Sequence, residues 1–186
     1  MKLAVAFVCA LGSIAAAAPT GALDFDLTGA KDKYIVKDEA FQLTFPGKPE
    51  VSAEDQPANG VTVKTASAMY SVGNDVYGFV VIQVPKDATY DVKKGMDGAR
   101  DGGLKNINGK VVKEDDITIS GLKGRHTLGA ADFQGVKFAV DFFIAWDEKH
   151  RTLVSVFTMT DRAGQNQAQK DFVASFKNMP NGKAPH

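Results

Sequence analysis

The chain has 186 residues, with 22 Lys plus Arg set against 22 Asp plus Glu, 18 Gly, three His and a single Cys. Charge this evenly balanced supplies no basic field, which argues against nucleic acid or an anionic membrane surface as the main partner. One cysteine excludes an internal disulfide, a CxxC redox pair and a thiolate metal site.

The chain opens with Lys2 and an apolar run from Leu3 to Ile14, followed by small residues at Ala15 to Ala18 and at Thr20, Gly21 and Ala22. A short positive start, an apolar core and small residues at the cut define a secretory signal. The run is shorter than the roughly 20 residues that span a bilayer. Residues 1–22 therefore read as a signal peptide that is cleaved, with Ala17, Ala18 and Ala22 as candidate cleavage positions. Ala22 is favoured because Pro19 crowds the other two. Cys9 follows Val8 in the middle of the apolar core, which does not suit lipidation. The mature protein is expected in the periplasm or secreted, with no transmembrane segment, no thiol and about one unit of negative charge once Lys2 is gone.

Residues 23–34 read as a flexible N-terminal segment, residues 35–179 as a single α+β domain and residues 180–186 as a disordered tail. Phe41, Leu43 and Phe45 alternate with polar residues and stop at Pro46, which predicts a half-buried strand. Residues 50–60 carry acids, a proline and Asn59-Gly60, and read as a surface loop. Two β-rich stretches, 61–72 and 76–84, flank Gly73, Asn74 and Asp75 and predict a hairpin.

Between 91 and 107 the period changes. Val92, Met96, Ala99, Leu104 and Ile107 recur at helical spacing, with Asp91 as N-cap. Strands are expected again at 110–119 and 125–131, joined by a glycine turn from Gly121 to Gly124. The alternation of Val136, Phe138, Val140, Phe142, Ile144 and Trp146 predicts a strand with one buried face. A turn at 147–150, a strand at 152–160 and a final helix follow, the helix capped by Asp161 with Phe172, Val173, Phe176 and Met179 on its inner face. Phe79 and Phe143 fall opposite the main stripe, so both faces of the sheet carry apolar side chains.

This order of elements resembles the fold of the PsbP and Mog1 proteins, in their exported bacterial members. The likeness lies in the opening FQLTFP of Phe41–Pro46, the helix after the first hairpin, the glycine turn at 121–124 and the closing DFVASFK of Asp171–Lys177. It implies a mostly antiparallel sheet flanked by helices, an α/β/α sandwich, and a binding or assembly role. No functional residue follows from it.

For chemistry, His126 is the histidine expected to be held in structure, sharing a strand face with Leu128 and Ala130. A hydrolase would need a nucleophile and a carboxylate converging on it. Ser120 is near in sequence, but no GxSxG or HExxH pattern surrounds either residue. A sheet histidine satisfied by hydrogen bonds is the plainer reading. Lys123, Arg125 and backbone amides of the glycine turn could form a small anion nest. His150 reads as a turn histidine, and Asp115 and Asp116, adjacent on a strand, point to opposite faces and are not a catalytic pair. No catalytic residue, metal site or cofactor is expected.

Three functions stay open. The leading one is an exported, non-enzymatic accessory protein that binds another envelope or secreted protein. The second is a carrier of a small apolar ligand in a partly open β-barrel, and the third is a hydrolase using His126.

Overall fold

Residues 136–147 put a large apolar side chain at every second position, and burying that stripe requires a layer laid across it. The computed structural model, which describes residues 25–30, 33–38, 40–58, 61–133 and 135–179, shows what supplies the layer. In chain order the elements are β1 (Asp26–Ala30), β2 (Lys33–Lys37), β3 (Phe41–Phe45), β4 (Glu50–Ala58), β5 (Val61–Val72), β6 (Asp75–Gln83) and α1 (Val92–Lys105). Then come β7 (Gly109–Ile119), β8 (Leu122–Phe133), β9 (Val136–Asp147), β10 (Thr152–Thr160), α2 (Gln167–Ala174) and β11 (Lys177–Asn178). The expected signal at 1–22 and the tail at 180–186 lie outside the described residues.

Seven strands form one antiparallel sheet in the order β4-β5-β6-β10-β9-β8-β7, and a smaller sheet has the order β1-β2-β3-β11. On one face of the large sheet, Met96 and Leu104 of α1 close over Phe138, Val140, Phe142 and Ile144 of β9 together with Leu153 and Phe157 of β10. On the other face, Val36, Phe41, Leu43 and Phe45 of the small sheet and Phe172 of α2 pack against Tyr77, Phe79, Val81, Val154 and Val156. β10 is covered on both sides, and every one of its residues is buried.

The expected α/β/α sandwich is therefore incorrect. One helix covers one face, and the second face is covered chiefly by a sheet, with the eight-residue α2 at its side. The apolar residues on both faces were correctly placed, but they meet a second β-layer where helices were expected. Two readings fail with it. Residues 26–30 and 33–37 form an antiparallel pair, which takes in described residues of the segment 23–34 that was expected to be flexible. Residues 50–58 form the outer strand β4 where a loop was expected. An outer strand tolerates Pro57 and charges because half of its backbone groups need no partner strand.

The turns follow backbone demands. The β5–β6 hairpin turns on Gly73 and Asn74, with Gly73 at φ 59° in the place that a type II′ turn reserves for glycine. β7 and β8 are joined by Ser120 (φ 47°) and Gly121 (φ 84°), so the turn is tighter than the expected 121–124, and Gly124 lies inside β8. Asp91 caps α1 as expected, its side chain accepting from the Lys94 amide at 3.1 Å. α2 starts later than expected, with Asn166 and Gln169 forming a reciprocal capping box.

Under α1 the core is nearly filled. A cavity of about 20 Å³ lies between Ala99, Gly103, Phe142 and Phe157, enough for a single water. Among the described residues the outer strands β4 and β7 each have one strand neighbour, so the large sheet is open, not closed as a barrel. No helix among these residues is long and apolar enough to cross a membrane.

Candidate functional site

Strand alternation separates the three candidate residues. Arg125 pairs across the sheet with Ile144 and with Asp116, which places it, and Lys123 two residues earlier, on the face that α1 covers. His126 lies opposite Phe143 on the other face. Its ring stacks on Phe143 at 4.3 Å between centroids and 5° between planes, and its Nε2 is hydrogen-bonded to Asp141 Oδ1. The imidazole thus gains a carboxylate partner from a distant part of the sequence. Ser120 is engaged elsewhere, donating its hydroxyl to the Phe176 carbonyl at 2.7 Å. His150 is fastened in its turn by Asp147, whose Oδ2 meets the ring Nδ1 at 2.6 Å while its Oδ1 accepts the amide of Lys149 at 2.9 Å. Among the described residues no three His, Cys, Asp or Glu side chains gather to hold a metal.

Lys123 and Arg125 instead enter a cleft of about 660 Å³ between the start of α1 and the β7–β8 hairpin, within the usual size of ligand clefts. α1 contributes Val92, Lys93 and Met96, and the hairpin contributes Asp116 and Thr118 beside the two candidates. Asp115 points to the other face, toward the His126 row, so the two adjacent aspartates diverge as strand geometry requires.

Behind the cleft a charged cluster ties helix to hairpin. Arg100 Nη1 donates to both oxygens of Glu114, at 3.0 and 2.9 Å, and Thr127 donates its hydroxyl to the same carboxylate at 2.8 Å. Arg125 Nη1 reaches Asp97 and, at 3.4 Å, Glu114. The arginine side chains are well covered, 18% and 14% exposed for Arg100 and Arg125, so these bonds are less screened than surface pairs. Arg125 therefore has its charge matched within the fold by Asp97 and Glu114. It acts as a strut.

The protonation equilibria follow this arrangement. Burial pushes the Glu114 carboxyl upward, but the bonds from Arg100 and Thr127 and the charges of both arginines more than reverse this and leave it below its ordinary value of 4.5. The Arg125 bond holds Asp97 below its ordinary 3.8, with the charges of Arg125 and Arg100 adding to it. The bond to Asp101, then that to Glu114, raises Arg100. A carboxylate with a depressed folded-state pKa contributes stability that is present above its unfolded value and is lost as pH falls through the folded value. Thermal unfolding followed from pH 6 to pH 2 should accordingly show a fall that steepens below about pH 4. Arg125→Met should flatten that fall in part, because Asp97 then loses the bond that holds it down, while Glu114 keeps its bonds from Arg100 and Thr127. An unchanged profile would show that the cluster does not link helix to hairpin.

At the N-terminal end of α1, the Tyr90 ring stacks on Trp146 at 5.0 Å, and Trp146 donates its indole N–H to Glu148 at 2.5 Å. Gly95 lies directly under the Tyr90 hydroxyl, where a Cβ would collide. A glycine that weakens the helix as a sequence is thus required by the aromatic that rests on it. Burial, and then the charge of Asp91, hold the Tyr90 hydroxyl above its ordinary range. Trp146 is the sole tryptophan of the chain and stands two residues beyond Ile144 on the same strand face, which makes it a reporter for this end of the cleft.

Sequence reasoning missed Asp97, Arg100, Glu114 and Thr127. The run Lys113 to Asp116 reads as solvated, and Glu114 becomes central only when Thr127 is its cross-strand partner. The i, i+3 spacing of Asp97 and Arg100 was the one local signal available.

No protein-family model matches the chain, and no curated protein matches it. Among solved structures it is similar to a crystal structure of a Pseudomonas aeruginosa protein of unknown function, at 12% identity and a TM-score of 0.37. That alignment covers 73% of this chain and 82% of the other. A likeness of that degree carries no argument about either fold or function.

Proposed function

We propose that this chain is an exported, non-enzymatic accessory protein that binds another protein of the cell envelope, and that the cleft between α1 and the β7–β8 hairpin is its contact surface. The observation that carries this reading is the cleft itself. It is an open trough with an apolar wall from Val92 and Met96, the exposed ammonium groups of Lys93 and Lys123 at its margin, and walls fixed by the arginine–carboxylate cluster behind it. Rigid walls lower the ordering cost of association, and an apolar strip with a charged margin is the usual anatomy of a protein contact.

The hydrolase reading draws less support, since His126 lies on the other face of the sheet, stacked on Phe143 and bonded to Asp141. A photo-crosslinking residue placed at Lys123 in the native organism should yield one discrete adduct of higher mass. The same residue at Val72, exposed at the far hairpin tip, should not. Equal or absent adducts at the two positions would count against this surface.

A further inference from the structure

We propose that the segment of the partner seated in this cleft is a linear, acidic stretch with apolar residues interspersed; the inference rests on the protein-binding reading above. Its sign comes from charge accounting at the site. Arg100 and Arg125 are matched by Asp97 and Glu114, and Asp101, which also pairs with Arg100, stands further along α1 and is not part of the cleft lining. The field at the mouth is then decided by Lys93 and Lys123 against Asp116. Among the described residues none of these three side chains takes part in an ion pair within 4.0 Å, and all three are exposed. Two cations against one carboxylate make this a positive spot on a chain whose formal net charge is zero.

The apolar component follows from Val92 and Met96, which remain part of the lining although Met96 is buried in the core under α1. The linear form follows from β7, the outermost strand of the large sheet. Among the described residues it has a strand neighbour on one side only, so its outward backbone groups can bond an extended chain lying along it.

The test uses the full mature protein and a short dye-labelled peptide in which leucine alternates with aspartate, read by anisotropy and by Trp146 emission. A second peptide with lysine in place of aspartate controls for the apolar contribution. The aspartate peptide should bind at least about tenfold more tightly than the control. Lys123→Glu and Lys93→Glu should each weaken it about fivefold, and Asp116→Asn should strengthen it about twofold. All three sites are exposed, and unaltered Trp146 emission of the unliganded variants would show that the fold is kept. Added salt should weaken the aspartate peptide more than the control.

Equal binding of the two peptides, no binding of either, or affinity unmoved by Lys123→Glu would overturn the proposal. So would capture of the protein by phosphatidylglycerol vesicles, dependent on Lys123, when the aspartate peptide fails to bind. If the crosslink at Lys123 captures one protein while the aspartate peptide does not bind, the assigned chemistry is wrong and the partner reading stands. A bound peptide with no crosslinked partner separates the two the other way.

Discussion

Phe172→Ala should lower the stability of the folded protein by about 3–5 kcal/mol, the usual cost of deleting a large buried ring. At roughly 2–4 °C per kcal/mol for a domain of this size, the midpoint of thermal unfolding should fall by about 6–20 °C. Phe172 is 2% exposed, and its ring meets Phe45 edge-on at 4.9 Å and Tyr77 at 5.3 Å. It therefore joins α2, the small sheet and the large sheet at a single point. α2 has only eight residues, too few to persist by backbone hydrogen bonding alone. It is helical because Phe172 is docked. Once undocked, the chain should also release Phe176, which stacks on Phe41 at 5.9 Å and holds the short β11 beside β3. Val173→Ala, at a half-buried position on the same helix, should cost a fraction as much. Urea titration followed by Trp146 emission would give both values. A loss below about 1.5 kcal/mol for Phe172→Ala would mean that the small sheet holds its place without the helix.

That junction also shows how far the fold could be read beforehand. The stripe from Phe138 to Trp146 was legible because that face of β9 lies under α1, and a buried face imposes a period of two; Val136, at the start of the alternation, stays exposed. α1 was legible despite four glycines, since Met96, Leu104 and the Asp91 cap hold their positions regardless. The second layer was not. β1 and β4 are outer strands, mostly exposed along their length, and lack the alternation that a buried face produces. A sequence with apolar residues on both faces of a sheet states that both are covered, but not by what. Phe41, Leu43 and Phe45 were recognised as an inward-facing strand, yet nothing local says that this strand crosses the back of another sheet.

The site divides in the same way. That Lys123 and Arg125 share a face follows from alternation alone, but that α1 covers that face depends on long-range register. The carboxylate partner of His126 lies 15 residues away on the next strand, diagonal to it across the sheet. Polar groups whose partners are set by register read as solvated until the sheet is assembled.

Asp75 is the sharpest case of that kind, and Asp75→Ala should cost about 3 kcal/mol, from the loss of bonds to a buried charged acceptor worth ~1.5–3 kcal/mol each, in part recovered by water. In sequence it is a turn residue beside Gly73 and Asn74. In the fold its side chain is 9% exposed, with one oxygen accepting from the Thr160 hydroxyl at 2.7 Å and the other from the Asn166 amide at 2.9 Å and from Arg162 at 3.2 Å. Asn166 is the N-cap of α2, and Gln169 of the same capping box reaches back to the Met159 carbonyl at 3.1 Å. One carboxylate in the β5–β6 hairpin therefore fixes where α2 begins, and through it where Phe172 lies. Asp75→Asn keeps an acceptor for Thr160 and should cost less than half as much. Asn166→Ala should be costly alone, but add little to Asp75→Ala, because both remove the same anchor. Full additivity in that double-mutant cycle would mean that Asp75 and the helix cap stabilise the fold independently. Tyr77 offers a second readout: burial first, and the charge of Asp75 next, hold its hydroxyl above the ordinary range. Removing Asp75 should let that titration move down.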